Sequence, residues 1–441
     1  MQPRKSDRSW LGNLAHSGVL PGLLLILATA LALAAANSAY SAGWFQFFEQ
    51  DFSIRLGNLV LDDHLSHWIN DGLMVLFFFF IGLEIKHEVI DGQLQSMRAA
   101  ALPVAAALGG MLVPAMLYAV VAMVRGDALA AAGWGIPMAT DIAFALGLLA
   151  ILGKRVPTTL KVFLATLAIV DDLGAVLVIA VFYTAAIEWH YLATGLVLVA
   201  TSYALNRLGV RRTTPYALLG IAIWLLFLES GVHATIAGVA LAFTVPARRK
   251  LDEREFSVRT RELIDDFDQG ADPTDRTNDA QLHVIHELAA HCIDVQAPLQ
   301  RMEHALKGWI AYVIVPLFAL SNAGVDLSAG LAMTFASTAA QGVALGLLLG
   351  KPVGVLVATW LACKLLRTGL PAGVTWQHLH GTAWLAGVGF TMSLFVNELA
   401  FHGVPESYRA AKVAVLVASA LAGAVGLGLL LRCKAAPASR G

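Results

Sequence analysis

Residues 165–176 read ATLAIVDDLGAV and set Asp171 and Asp172 side by side in the middle of an apolar helical stretch. Each carboxylate at bilayer depth costs about 2.5–3.5 kcal/mol on insertion scales, so a membrane helix has no structural reason to carry two. Some ten apolar residues on either side argue against the bland alternative, a helix end among the headgroups. Neighbours on a helix point about 100° apart, so one carboxylate can line a water-filled cavity while the other turns to a partner helix. Two close carboxylates resist being ionised together, and such a coupled pair can trade protons for a metal cation.

Composition places that helix in a membrane. Of 441 residues, 58 % are hydrophobic and 14 % charged, where a soluble domain carries about 25 % charged. Twelve apolar segments lie near 20–36, 72–84, 99–124, 131–151, 159–183, 191–208, 215–228, 231–245, 309–322, 335–366, 382–396 and 410–431. Most are long enough to cross a hydrocarbon core of about 30 Å, and 335–366 is too long for one straight span. The expected class is therefore an all-α polytopic membrane protein with about twelve transmembrane helices. The net charge of −1 gives no basic field for nucleic acid.

Basic residues orient the spans, because positive loops stay inside. Arg4, Lys5, Arg8, Lys86, Arg98, Lys154, Arg155, Arg207, Arg211, Arg212, Arg248, Arg249, Lys250, Lys364, Arg367, Arg432 and Lys434 share one side. Arg55, Arg125, Arg409 and Lys412 fall on the other, the last two fitting least well. An even number of spans with both termini cytoplasmic satisfies nearly all of them. The layout is a tail over 1–17, a membrane domain over 18–431 and a tail over 432–441. The first apolar run is long enough to remain as a span rather than be cleaved. Cys292, Cys363 and Cys433 have neither CxxC spacing nor an oxidising location, so no disulfide or zinc ribbon is indicated.

Two segments do not span. An external stretch, 43–70, contains the alternating FSIRLGNLVL, which predicts a hairpin turning at Gly57 and Asn58. A polar cytoplasmic insertion, 248–301, reads as a mobile, unstructured FDQGADPTDRTNDA (267–280) followed by a helical pattern.

Further chemistry gathers in the spans. In GIPMATDIAFALG (135–147), Pro137 removes a backbone donor just before Thr140 and Asp141, and freed backbone groups are tolerated in a membrane only where protein or water satisfies them. Thr140 and Asp141 serve as a helix cap whether the break lines a cavity or is a simple kink. AGVGFTMSLF (386–395) is a second, glycine-rich interruption, although glycine is also common in membrane helices for packing alone. Lys351, in LGLLLGKPVG (345–354), must snorkel, deprotonate or pair, with Asp171 or Asp172 as its counter-charge. Where the second span ends, Glu84 and Glu88 share a helix face beside Lys86 and His87, either a solvated helix end or a sensor of cytoplasmic pH. HELAAH (286–291) is not a zincin motif, since its histidines are five apart where one metal needs four. His283, Glu287 and His291 do share a face, as on an ordinary amphipathic helix.

Seven collinear motifs, GLEIKHE, GIPMATDIAFALG, AIVDDLGAV, ESGVHATIAG, EHALKGWIAYVIVPLFALSNAG, GKPVG and GFTMSLF, cover roughly residues 15–430 and resemble the NhaA family of sodium/proton antiporters. The resemblance implies an inverted-repeat antiporter fold in which spans four and eleven are broken and cross at the membrane middle, and spans three to five are related to ten to twelve. It implies that Asp172 is the main sodium ligand, that Asp171 shares the proton work and pairs with Lys351, and that Thr140 and Asp141 neutralise half-helix ends. Glu84, Lys86, His87, Glu88, Glu303 and His304 would form the cytoplasmic pH sensor, with His233 also tied to pH response. The implied activity is electrogenic exchange of internal Na+ or Li+ for external H+, without a cofactor or catalytic residues. The setting would be the lipid of a bacterial inner membrane, as a homodimer joined partly through the external hairpin. His87, where arginine is usual, and Lys307-Gly308, where His-Pro is common, depart from the pattern at the sensor.

Two rivals are weaker. An intramembrane aspartyl protease needs GxGD, which neither TDIA nor VDDLG supplies. A passive cation channel has little use for a buried lysine beside two aspartates.

Overall fold

The computed structural model describes residues 19–56, 59–184, 187–269, 278–328 and 330–433. Among the described residues, six helices are long and apolar enough to cross a membrane: Val19–Ala36, Met97–Arg125, Thr158–Phe182, Pro298–Asn322, Thr338–Leu366 and Pro405–Arg432. Two bent pairs add two more, Ala130–Met138 with Ile142–Ile151 (40°) and Trp376–Ala386 with Phe390–Ala400 (41°). The chain is thus a multi-pass membrane protein. Of the other segments expected to span, Thr214–Glu229 and Thr235–Thr244 are helices of only 16 and 10 residues.

The helices fall into two compact units. The larger comprises Met1–Phe77, Asp91–Ala186 and Gly308–Gly441, and the smaller Phe78–Ile90 and Ile187–Lys307. In the larger unit, Met97–Arg125 packs on Lys351–Leu366 through Gly109 and Gly354. A Cβ on Gly354 would lie 2.1 Å from the Gly109 carbonyl oxygen, so the two backbones touch only because both side chains are absent. That contact sets the height of Lys351, one turn before Gly354. Pro352 offers no N–H to the preceding turn, and the helix absorbs the loss in a π-turn over Gly346–Gly350 rather than breaking. Buried Leu149, Leu160, Leu164, Leu167, Val355 and Leu385 form a core around this crossing.

The breaks fall where the sequence interrupts itself. Pro137 closes a short 3₁₀ segment, Ala139 to Asp141 run extended, and the α-helix restarts at Ile142. The second pair breaks between Ala386 and Phe390.

The expected hairpin is present as β1, Asp51–Leu56, and β2, Leu59–His64, antiparallel with Leu56 opposite Leu59. Gly57 and Asn58, its expected turn, lie outside the described residues, as do residues 1–18, with all of the expected N-terminal tail, and 434–441 of the expected C-terminal one.

In the smaller unit, Phe79 and Leu83 pack with Tyr216, Ile223, Phe227 and Leu241. The 248–301 insertion contains an unanticipated helix, Glu253–Gln269, and then Asp279–Asp294, which carries the helical pattern expected after the polar stretch. Residues 267–269 close the first and 279–280 open the second, while 270–277 lie outside the described residues. The first helix is so polar that apolar counting misses it. A narrow stripe of Phe256, Thr260, Leu263 and Phe267 nevertheless repeats at helical spacing and is at least half-buried. At the base of the insertion, Lys250 Nζ lies 2.6 Å from Asp294 Oδ2, and the Lys250 and Leu251 N–H groups donate to the Asp294 carbonyl.

Candidate functional site

Breaking a helix exposes N–H groups at one new end and carbonyls at the other, and each must find a partner away from water. Two breaks packed together leave four such ends in one place. Asp141 serves both N-termini. Its Oδ1 accepts from the Phe144 N–H (2.9 Å), its Oδ2 accepts from the Thr391 N–H (3.1 Å) and hydroxyl, and its own N–H donates to the Val388 carbonyl (2.8 Å). Ser419 accepts from the Phe390 N–H at 3.0 Å. At the carbonyl ends, Ser393 donates to Ile136 (2.7 Å) and the Lys351 ammonium donates to Met138. A carboxylate thus faces the positive helix ends and an ammonium a negative one, the arrangement that helix dipoles favour.

Lys351 joins this scaffold to the paired aspartates. Its Nζ lies 2.5 Å from Asp171 Oδ2, and neither side chain has any exposed surface. The same Oδ2 is 2.7 Å from the Thr140 hydroxyl, which is also 2.8 Å from the Ala386 carbonyl. One hydroxyl proton can serve only one of those acceptors at a time, so Thr140 has two arrangements available. Asp171 Oδ1 accepts no hydrogen bond among the described residues. Asp172 is fully buried and within electrostatic reach of Lys351. Asp171, Asp172, Asp141, Thr140 and Lys351 are therefore gathered in one cluster, with Lys351 on Asp171.

Thr391, Ser393 and Ser419 were not singled out from sequence. The first two stand in GFTMS directly after a glycine break, where a hydroxyl is the cheapest cap. Ser419 lies mid-helix in Pro405–Arg432, and its sequence carries no signal.

The expected sensor residues divide. In the smaller unit, His87 Nδ1 lies 2.9 Å from Glu303 Oε2, and Glu84 is electrostatically close to Glu303, Lys307, Glu88 and His87. Lys86 donates to the Phe243 (2.7 Å) and Val245 carbonyls, at the C-terminal end of Thr235–Thr244. His233 precedes the opposite end of that helix, about 15 Å away at 1.5 Å per residue. His304 is exposed beside Glu303. In the HELAAH helix, exposed His283 and Glu287 approach to 3.5 Å, and no group of three metal-ligating side chains occurs among the described residues.

A buried lysine–aspartate cluster where two broken helices meet, inside a multi-pass membrane protein, has the chemistry of an ion-transport protein. The family described as Na+/H+ antiporter 1 matches residues 13–430, and the chain belongs to it. Among relatives named Na(+)/H(+) antiporter NhaA, that of Oleidesulfovibrio alaskensis is 48 % identical over 93 % of this chain and 90 % of its own length. The Acidithiobacillus ferrooxidans protein is 46 % identical over 92 % and 93 %, and that of Koribacter versatilis 45 % over 93 % and 89 %.

Proposed function

We propose that this protein exchanges cytoplasmic Na+ or Li+ for external H+ across a bacterial inner membrane. In this reading it has twelve spans in an inverted repeat, works as a homodimer, and keeps both termini cytoplasmic. One observation carries the proposal: the fully buried Lys351–Asp171 pair beside Asp172, held between the ends of two broken helices.

Asp172 is the sodium ligand, since Asp171 already spends one oxygen on Lys351 and Thr140. Na+ arriving from the cytoplasm displaces the protons of the pair, and Na+ then balances the Asp172 carboxylate while the Lys351 ammonium balances that of Asp171. The occupied bundle then opens outward, where protons compete for the same carboxylates and expel Na+. Ions that compete for one site couple their fluxes without a cofactor. Two titratable carboxylates against one monovalent cation leave a net charge to move, which makes the exchange electrogenic. Thr140 lets Asp171 change state without losing all its partners, because the hydroxyl turns to the Ala386 carbonyl when the carboxyl keeps its own proton. The His87–Glu303 contact, with Glu84, Lys86 and Glu88, senses cytoplasmic pH and tunes the exchange for sodium and pH homeostasis.

The test uses everted vesicles with a fluorescent ΔpH reporter. Asp172→Asn abolishes Na+-driven proton movement in this account, and normal exchange by that variant sinks the assignment. Current without counter-flow of protons in the unaltered protein would favour a channel.

A further inference from the structure

A cavity of about 1030 Å³ opens in the larger unit among chain segments that the charge pattern places outside. Asn37, Asn70, Asn322, Asp326, Glu398 and Lys412 are among the residues in its wall. None of them belongs to the cluster at the helix breaks, yet one is mechanically tied to it. Glu398 lies on Phe390–Ala400, seven residues after the Thr391 that holds Asp141. Seven residues are two helical turns, so the two side chains share a face about 10 Å apart.

The charged groups around Glu398 come from several parts of the chain. On Pro405–Arg432, the Tyr408 hydroxyl shares a hydrogen bond with the Glu398 carboxylate, and the Lys412 ammonium attracts it. Lys412 is 8 % exposed, donates to the Gly324 carbonyl at 3.3 Å and lies 4.8 Å from the centre of the Tyr408 ring. Asp71, from the turn Trp68–Leu73, is the nearby like charge. Glu49 and Arg409 stand exposed at the rim. Asp326 is already satisfied: the N–H (2.8 Å) and hydroxyl (2.9 Å) of Ser328 hold its carboxyl below the usual range. Next to Glu398, Asn397 is fully buried, donates to the Tyr408 carbonyl at 3.1 Å, and has an Oδ1 that accepts nothing among the described residues. A carboxylate and an amide oxygen are the ligands that hard cations take.

We propose that Glu398 is an outer loading site: it takes a proton or Na+ from external water, in competition with the Lys412 ammonium. Its occupancy is passed to the central cluster along Phe390–Ala400, through Thr391 and Asp141. The inference rests on the antiporter reading and adds a station to it.

The test compares the two faces of the full-length protein in proteoliposomes, measuring the Na+ and H+ concentrations that half-saturate exchange from each side. Glu398→Gln raises the external requirement about five-fold or more and leaves the cytoplasmic one within two-fold, and Glu398→Asp restores most of the difference. Lys412→Met frees the carboxylate and lowers the external requirement. An unchanged external requirement in Glu398→Gln, or an equal shift on both faces, overturns the outer site while exchange by the unaltered protein keeps the antiporter reading intact. If Glu398→Gln does not fold, Lys412→Met decides, and no external shift there overturns the proposal. Absence of exchange in the unaltered protein would remove both readings together.

Discussion

A lysine with no exposed surface keeps its charge only through the groups that touch it, and Lys351 has two, the Asp171 carboxylate and the Met138 carbonyl. Removing one member of a buried ion pair strands the other, which typically costs about 3–5 kcal/mol, whereas replacing both by apolar groups is often nearly neutral. Lys351→Ala should therefore lower the thermal unfolding midpoint of the detergent-solubilised protein sharply, and the double variant Asp171→Leu/Lys351→Met should recover most of that loss while remaining inactive. A Lys351→Ala protein as stable as the parent would show the pair to be dispensable. Thr391 makes a smaller contribution, because Thr391→Val removes the hydroxyl donor to Asp141 and keeps the N–H. The expected loss is about 1–2 kcal/mol of stability together with slower exchange; unaltered turnover would mean that Asp141 is held well enough without it. The residues by themselves left the partner of Lys351 open between Asp171 and Asp172, and only the family resemblance named Asp171. Rotation of a helix about its own axis decides between neighbours 100° apart, and the residues of one helix do not encode it. Thr391 escaped notice because membrane-helix hydroxyls are commonly spent on the carbonyl four residues back, as Thr29, Thr166 and Thr184 are here.

At the scale of elements, the breaks were legible because Pro137 and the glycines around Val388 cannot continue a helix well, and the geometry follows those residues. The close crossing of Met97–Arg125 and Lys351–Leu366 was not, since Gly109 and Gly354 lie far apart in sequence and only their contact gives them meaning. Gly354→Val puts three carbons where the partner backbone lies. Overpacking of this kind costs about 1–3 kcal/mol or more and tilts the helix that carries Lys351. Exchange should fall by well over half even in protein that still incorporates into membranes, and a fully active Gly354→Val would mean that the crossing does not set the height of Lys351. The sensor elements give a different prediction. Imidazole is the side chain whose charge switches near neutrality, whereas guanidinium stays charged. Glu303 lies 2.9 Å from the His87 ring, and a guanidinium in that place keeps an ionic contact with it at all working pH. If release of that contact permits turnover, His87→Arg shifts the onset of activity to higher pH in a vesicle ΔpH series. A superimposable pH profile would remove His87 from the sensor.

At the scale of the whole molecule, orientation decides which way each ion moves, and it rests on where the basic loops lie. Composition alone was enough to read a multi-pass chain, but the polar insertion shows the limit of apolar counting. Glu253–Gln269 is held by a half-buried stripe and by i,i+4 pairs such as Arg259–Glu255 at 2.7 Å, and the few apolar residues of that stripe are outweighed by the charged ones around them. That insertion also supplies a native reporter of sidedness. Cys292 is exposed near the end of Asp279–Asp294, whereas Cys363 is half-buried and Cys433 buried. With Cys363→Ser and Cys433→Ser in place, a membrane-impermeant maleimide has a single thiol to find. The charge pattern puts that thiol in the cytoplasm, so the reagent should label everted vesicles and leave intact cells unlabelled until they are permeabilised. Labelling of intact cells would turn the whole molecule over. The cavity at Glu398 would then face inward, and the direction of sodium movement proposed for the Asp171–Asp172 site would reverse with it.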